Sequence, residues 1–110
     1  MEPMISNNPA DDTLTMINVF AVSPDKQQEL VDTLIRATET VMHRMPGFVS
    51  ATIHKSLDGT RVTNVARWMD KASFDAMQQN SEARRHMQAA MQIANFDAHL
   101  YHEVATAQAA

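Results

Sequence analysis

The 110-residue sequence contains no cysteine, which excludes disulfides, thiolate metal sites and cysteine nucleophiles. Glycine occurs only twice, at Gly47 and Gly59. A dinucleotide-binding fingerprint needs three glycines in a short window and a phosphate-binding P-loop needs two, so neither can be built here. Positive charge is also scarce. The formal net charge is −4, and Arg84 and Arg85 are the only adjacent cations, which argues against a nucleic-acid partner. No apolar run approaches the roughly 20 residues that a helix needs to cross a bilayer. Residues 1–12, MEPMISNNPADD, lack the basic and apolar regions of a signal peptide and read as a flexible polar arm. A cytoplasmic location is the resulting expectation, with no membrane partner.

What is present is a regular alternation of element types. Residues 13–22 alternate as a strand, with Leu14, Met16, Asn18 and Phe20 on one face and Ile17 and Val19 on the other. Both faces are largely apolar, which suits a central strand. Ser23 and Pro24 then open a helix whose apolar positions repeat from Leu30 to Met45, and Pro46-Gly47 ends it. Residues 48–57 and 60–69 flank Asp58-Gly59, a pair suited to a two-residue type I′ turn. That turn would set Ile53 opposite Asn64 and Val49 opposite Trp68. Asp70 caps a second helix, which breaks near Asn80-Ser81 and resumes to about Ala94, with Ala83, Met87 and Met91 inward. A last strand spans 96–104, and residues 105–110 read as a frayed tail.

The order β-α-β-β-α-β is the ferredoxin-like arrangement, an α+β domain over residues 13–104 with a four-stranded antiparallel sheet. Right-handed crossovers place the first and third strands at the centre. The sheet face bearing Ile17, Val19 and Val65 has no helix to cover it, so a homodimer packed sheet to sheet, a dimeric α+β barrel, is expected.

Asn18, Asn64 and Trp68 are expected on the face beneath the helices. Asn is disfavoured in strands, and a buried amide without partners costs on the order of 1–3 kcal/mol. Such residues are either structural, bonded to helix ends or water, or they converge on a pocket. The five histidines fall on four elements, with His99 and His102 three apart on the last strand and so on opposite faces, and none has ligand spacing, so no metal site is expected.

The segments INVF at 17–20, PGFVSATIHKSLDGT at 46–60, NVARW at 64–68 and FDAHLY at 96–101 resemble the antibiotic biosynthesis monooxygenase family. The likeness covers residues 13–104, and its most specific element is Asn64-x-x-x-Trp68 together with Asn18. It implies a ferredoxin-like dimer and a cofactor-free oxygenase that converts an anthrone-type aromatic to a quinone with O₂. It makes Asn18, Asn64 and Trp68 the catalytic residues. Met16, Phe20, Ile53, Phe74, Arg84, His86 and Met87 are the expected substrate-binding wall. Some members of the family carry Tyr six residues after the Trp, where this chain has Phe74, and an Arg on the following helix, for which Arg84 and Arg85 compete.

The chemistry needs little from the protein. Triplet O₂ reacts without metal or flavin only with a substrate that gives up an electron readily, as a deprotonated anthrone does. The site then has to bind a flat phenol, stabilise its anion and exclude water. Two rivals stand beside this reading. One is a non-catalytic dimer that only holds a small molecule. The other is a haem-degrading enzyme, whose axial His would fall nine or ten residues after Trp68, where Met77 and Gln78 stand.

Overall fold

The computed structural model describes residues 5–7 and 13–110. Most of the expected N-terminal arm therefore lies outside the described residues. A four-stranded antiparallel sheet carries three helices. Its strands are β2 (Leu14–Val22), β3 (Phe48–Lys55), β4 (Arg61–Trp68) and β5 (Ala94–Tyr101), in the spatial order β3-β4-β2-β5. The helices are α1 (Gln27–Thr40), α2 (Lys71–Gln79) and α3 (Ser81–Met91). The ferredoxin-like order expected from the sequence is the order found, with β2 and β4 central. A separate two-stranded ribbon pairs β1 (Ile5–Asn7) with β6 (Ala105–Ala107), so the expected frayed tail contains a short strand.

Along β2, buried and half-buried residues alternate strictly from Leu14 to Phe20, as a strand beneath helices should. On α1, Leu30, Leu34 and Ala37 form the buried stripe. The helix is shorter than the sequence suggested. It ends at Thr40, a single 3-10 turn follows at Met42–Arg44, and Ile35 is exposed. Pro46 accounts for part of this, because it forces Met45 into the extended region (φ −78°, ψ 140°) and bars the helix from reaching it. The hydroxyls of Thr38 and Thr40 also donate to the carbonyls of Leu34 and Arg36 (3.0 and 2.7 Å), competing with the helical ladder at its end.

The hairpin keeps its expected register at its centre, with Ile53 opposite Asn64, but differs at both ends. Among the described residues only Gly47 and Gly59 have positive φ, so Asp58 does not adopt the type I′ conformation. The loop closes instead through Ser56 N–H to Arg61 O (2.9 Å) and Gly59 N–H to Ser56 O (3.2 Å). The Asp58 carboxylate organises this loop. It accepts hydrogen bonds from the hydroxyls of Thr60 and Ser56 and from Thr60 N–H, which lower its pKa to about 2.

At the far end a bulge lets Phe48 pair with Trp68 while Ser50 pairs with Arg67. Val49 is therefore the extra residue, turned out to solvent, and Phe48 takes the inner place that Val49 was expected to fill.

Asp70 caps α2 as expected, its carboxylate accepting from Ser73 N–H at 2.8 Å. Hydrogen bonding by the Ser73 side chain, and after it this backbone N–H, holds the Asp70 carboxyl below its ordinary pKa. The break at Asn80 is a new cap, with Asn80 Oδ1 accepting from Ala83 N–H at 2.9 Å. The third helix stops at Met91 and Ala94 already belongs to β5, which ends at Tyr101, three residues before the expected end.

The core consists of two clusters on the helix-covered face. One joins Leu14, Met16, Ala66 and Trp68 to Val41, Met77 and Ala83. The other joins Phe20 and Val62 to Leu30, Leu34 and Ala90. On β2 and β4 the rung between them is polar, Asn18 opposite Asn64. Ile17, Val19 and Val65 lie half-buried on the opposite face.

Candidate active site

A cavity of about 480 Å³ opens between the sheet and the helices, over the polar rung. Its floor is Asn18, Asn64 and Ala98, from three adjacent strands in one register row. Met16, Ala66 and Trp68 extend this floor toward one end, and Phe96 lies at the other. Met42, Met77 and Met87 supply flexible walls, and the exposed side chains of Gln78, Gln79, Arg84 and Gln88 form a polar rim. Thioether and phenyl walls with a few convergent polar groups are the composition of a small-molecule site.

Strand alternation alone puts Asn18 on this face, and direct pairing brings Asn64 against it. Asn18 is 1% exposed and Trp68 is 1% exposed. Neither Asn18 Oδ1, Asn64 Oδ1 nor Trp68 Nε1 has a hydrogen-bond partner within the described chain. Each such buried group costs on the order of 1–3 kcal/mol, and folded proteins hold few of them. Three in one cavity are a poor arrangement for stability and a good one for a polar ligand.

The indole is held in place by apolar contacts. Phe48 meets it edge-on, with ring centroids 5.4 Å apart, and Phe74 does so at 6.3 Å. Its orientation is thus fixed by rings that compete for none of its hydrogen-bonding capacity.

Of the residues assigned from sequence, Asn18, Asn64, Trp68, Met16, Phe74, Arg84 and Met87 line the cavity. Three do not. Phe20 is fully buried in the second core cluster, and Ile53 packs against that cluster. His86 also lies off the lining, its Nε2 3.4 Å from Thr40 Oγ1. The sequence did not single out Phe48, Phe96 or Gln88. Phe48 was hidden by the bulge. Phe96 shares a face with Ala98 by alternation, and Gln88 stands one helical turn from Arg84. Between the two candidate arginines, Arg84 reaches the cavity rim and Arg85 does not.

Among the described residues no Asp, Glu, His, Lys or Tyr lines the cavity, and Arg84 is its one charged side chain. No group of three or more His, Asp or Glu side chains comes together as a metal site among those residues. No described helix is long and apolar enough to cross a membrane. The axial histidine that the haem-degrading rival calls for has no counterpart on the cavity lining among the described residues, where Met77 and Gln78 occupy the corresponding places and His86 lies off it.

The family model for antibiotic biosynthesis monooxygenase matches residues 13–91. The tetracenomycin-F1 monooxygenase of Streptomyces glaucescens is 46% identical over 83 residues, covering 76% of this chain and 74% of that protein. Among solved structures, SnoaB, a cofactor-independent oxygenase from Streptomyces nogalater, superposes with a TM-score of 0.70 at 22% identity, covering 84% of this chain and 93% of that one. Protein SO0527 from Shewanella oneidensis gives 0.76 at 21% identity, over 91% and 97% of the two chains. At these identities the two structures speak for the fold. The family match and the curated relative go further: this chain belongs to the antibiotic biosynthesis monooxygenase family and is a monooxygenase.

Proposed function

We propose that the chain oxidises an electron-rich, flat aromatic substrate of the anthrone or hydroquinone type with O₂, giving a quinone and water, without metal or flavin. The observation that carries this is the convergence of three unpaired polar atoms, on Asn18, Asn64 and Trp68, in one apolar cavity. An Asn side chain offers both a carbonyl and two N–H groups, and the indole offers one N–H. The indole N–H and the amide N–H groups are neutral donors that stabilise a phenolate or a peroxide anion as it forms, while the two unpaired Asn carbonyl oxygens accept from a substrate hydroxyl. Asn64 and Trp68 hydrogen-bond the substrate oxygens, and Asn18 orients the ring. Balance is simple: the methylene carbon of an anthrone loses two hydrogens and gains one oxygen atom, and the second oxygen leaves as water. The relatives named as a monooxygenase and as a cofactor-independent oxygenase support the same class of reaction.

The active form proposed is a homodimer joined through the sheet face that bears Ile17, Val19 and Val65. Arg67 on that face supports this. Its Nε has no partner, although its guanidinium meets Glu103 at 3.5 Å. Sedimentation at micromolar concentration should give a dimer, and a stable monomer would refute this part.

The oxygenase reading is tested with dithranol in air. The purified protein should consume O₂ above the spontaneous rate without added flavin or metal. Asn64→Ala should lose at least about 100-fold of the enzymatic rate, the size of effect seen when one donor to a developing anion is removed. A rate equal to background for the unaltered protein, or an unchanged rate for the variant, would sink it.

A further inference from the structure

Among the described residues, five of the chain's nine methionines line the cavity: Met16 from β2, Met42 from the turn after α1, Met77 from α2, and Met87 and Met91 from α3. Plain core filling does not account for this placement. The second core cluster, of Phe20, Leu30, Leu34, Val62 and Ala90, holds no methionine among the described residues, and neither do the half-buried side chains packed against it. The thioethers gather around the cavity instead. The chain has no cysteine, so a thioether is the side chain that a peroxide oxidises most readily.

The third helix singles out one of the five. Ala83 packs in the cluster of Trp68 and Met77, while Ala90 packs in the cluster of Phe20 and Val62. Met87 lies between them, one helical turn from each and on the same face. On the sheet, the Asn18–Asn64 rung lies between the same two clusters. Met87 is therefore the thioether that α3 carries across the rung. Ala83 and Ala90 are buried, whereas Met87 is half-buried, as suits a side chain that faces the cavity. Met16 and Met77 are buried within the first cluster and Met42 packs against it.

We propose that Met87 is an oxidation site built into the cavity: a hydroperoxide over the Asn18–Asn64 rung converts it to the sulfoxide ahead of the other methionines, and the modified cavity binds flat aromatics less well. The sulfur lone pair attacks the terminal peroxide oxygen, and the O–O bond breaks as the S–O bond forms. The proton passes from that oxygen to the departing one, which leaves as an alcohol or as water. Sulfur loses two electrons and the hydroperoxide gains them. The new oxygen is a hydrogen-bond acceptor in an apolar wall. Turnover that goes astray thus closes its own site until a methionine sulfoxide reductase restores the thioether. The supply of hydroperoxide by turnover rests on the oxygenase reading; the oxidation site itself does not.

Peptide mapping by mass spectrometry after partial oxidation of the full chain tests this. Hydrogen peroxide should follow exposure and oxidise Met69, which is 60% exposed and off the cavity, ahead of Met87. Cumene hydroperoxide, whose aromatic ring favours an apolar cavity, should reverse that order. The ratio of Met87 to Met69 oxidation should rise at least about tenfold between the two reagents, a small part of what holding two reactants together can supply. Dithranol turning over in air should give the same reversal, with added catalase protecting Met69 and not Met87. An unchanged ratio with cumene hydroperoxide overturns the proposal, as does Met87 left intact while dithranol is consumed. No O₂ consumption, with the reversal by cumene hydroperoxide preserved, removes the oxygenase reading and leaves the oxidation site.

The consequence for binding has its own readout. Trp68 is the chain's single tryptophan, so quenching of its fluorescence by anthraquinone reports occupancy of the cavity. Protein treated with cumene hydroperoxide should bind anthraquinone at least about fivefold more weakly, and the reductase should restore the affinity. Met87→Leu keeps the volume and should bind equally before and after the same treatment. An affinity that oxidation leaves unchanged, or that falls equally in Met87→Leu, overturns the role of the sulfoxide in binding.

Discussion

Asn18 and Asn64 stand directly opposite one another on the two central strands, and neither carbonyl oxygen has a partner within the described chain. The pair separates two apolar clusters that would otherwise be continuous. If the pair were structural, replacing Asn18 by an apolar residue of similar size would destabilise the fold. Its unpaired state argues the reverse. Asn18→Leu is expected to raise stability by about 1 kcal/mol, because a buried unsatisfied group is removed. Activity should fall by about 100-fold or more. Chemical denaturation and O₂ uptake on the same sample decide it; lower stability with full activity would return Asn18 to the scaffold.

Trp68 separates shape from hydrogen bonding in the same way. Its ring is packed by Phe48 and Phe74, while Nε1 bonds to nothing in the described chain. Trp68→Phe keeps an aromatic ring between those two and deletes only the N–H and part of the volume. We expect a modest stability loss of about 1–2 kcal/mol, with a fall in kcat of at least about tenfold. Trp68→Ala should cost about 3–5 kcal/mol and report on packing instead. A Phe variant with unchanged kcat would show that the indole N–H takes no part.

Which of these features could be read before the fold was known depends on the geometry that each required. Alternation with period two is enough to put Asn18 inward, and pairing across the hairpin is enough to set Ile53 against Asn64. Both rules fail where the chain departs from regularity. The bulge at Val49 shifts one side of the hairpin by a residue, so Phe48 entered the cavity unannounced. Alternation also gives a face and not a position along it. Phe20 shares a face with Asn18 but lies one rung further, inside the second cluster. On α3 a single residue is a rotation of about 100°, so Arg84 and His86 part company once the Asn80 cap fixes where the helix begins. The proposed dimer face is legible only as uncovered apolar residues, since a partner's identity is not written in one chain's alternation.

The cavity lining contains no titratable base among the described residues. Of the charged or titratable groups on the surrounding helices, Glu39, Lys71, Asp75, Glu82, Arg85 and His86 are all outside it. Proton loss from the substrate must then be to water, or precede binding. The ascending limb of kcat/KM against pH should follow the substrate's own ionisation. Two substrates whose acid constants differ by about one unit should shift that limb by the same amount, and His86→Gln should leave it in place. A limb fixed at one pH for both substrates would reveal a protein base.

Gly47 connects the hairpin to the site through its backbone. It holds φ +83°, and its carbonyl accepts from Met69 N–H at 2.7 Å, which ties the start of β3 to the residue after Trp68. A side chain there meets two obstacles. The positive φ is costly for any other residue, and a Cβ would collide with the side chain of Ser73, whose own N–H is held by Asp70. Relief of that collision would move the first turn of α2, which leads to Phe74 and its contact with the indole. Gly47→Ala is therefore expected to lose about 1–3 kcal/mol of stability and to change ligand quenching of Trp68, although residue 47 does not line the cavity. Adding Ser73→Gly to Gly47→Ala should recover the part due to the collision and not the part due to φ. If the double variant gains nothing over the single one, the backbone strain is the whole effect, and the link from this turn to the indole is absent.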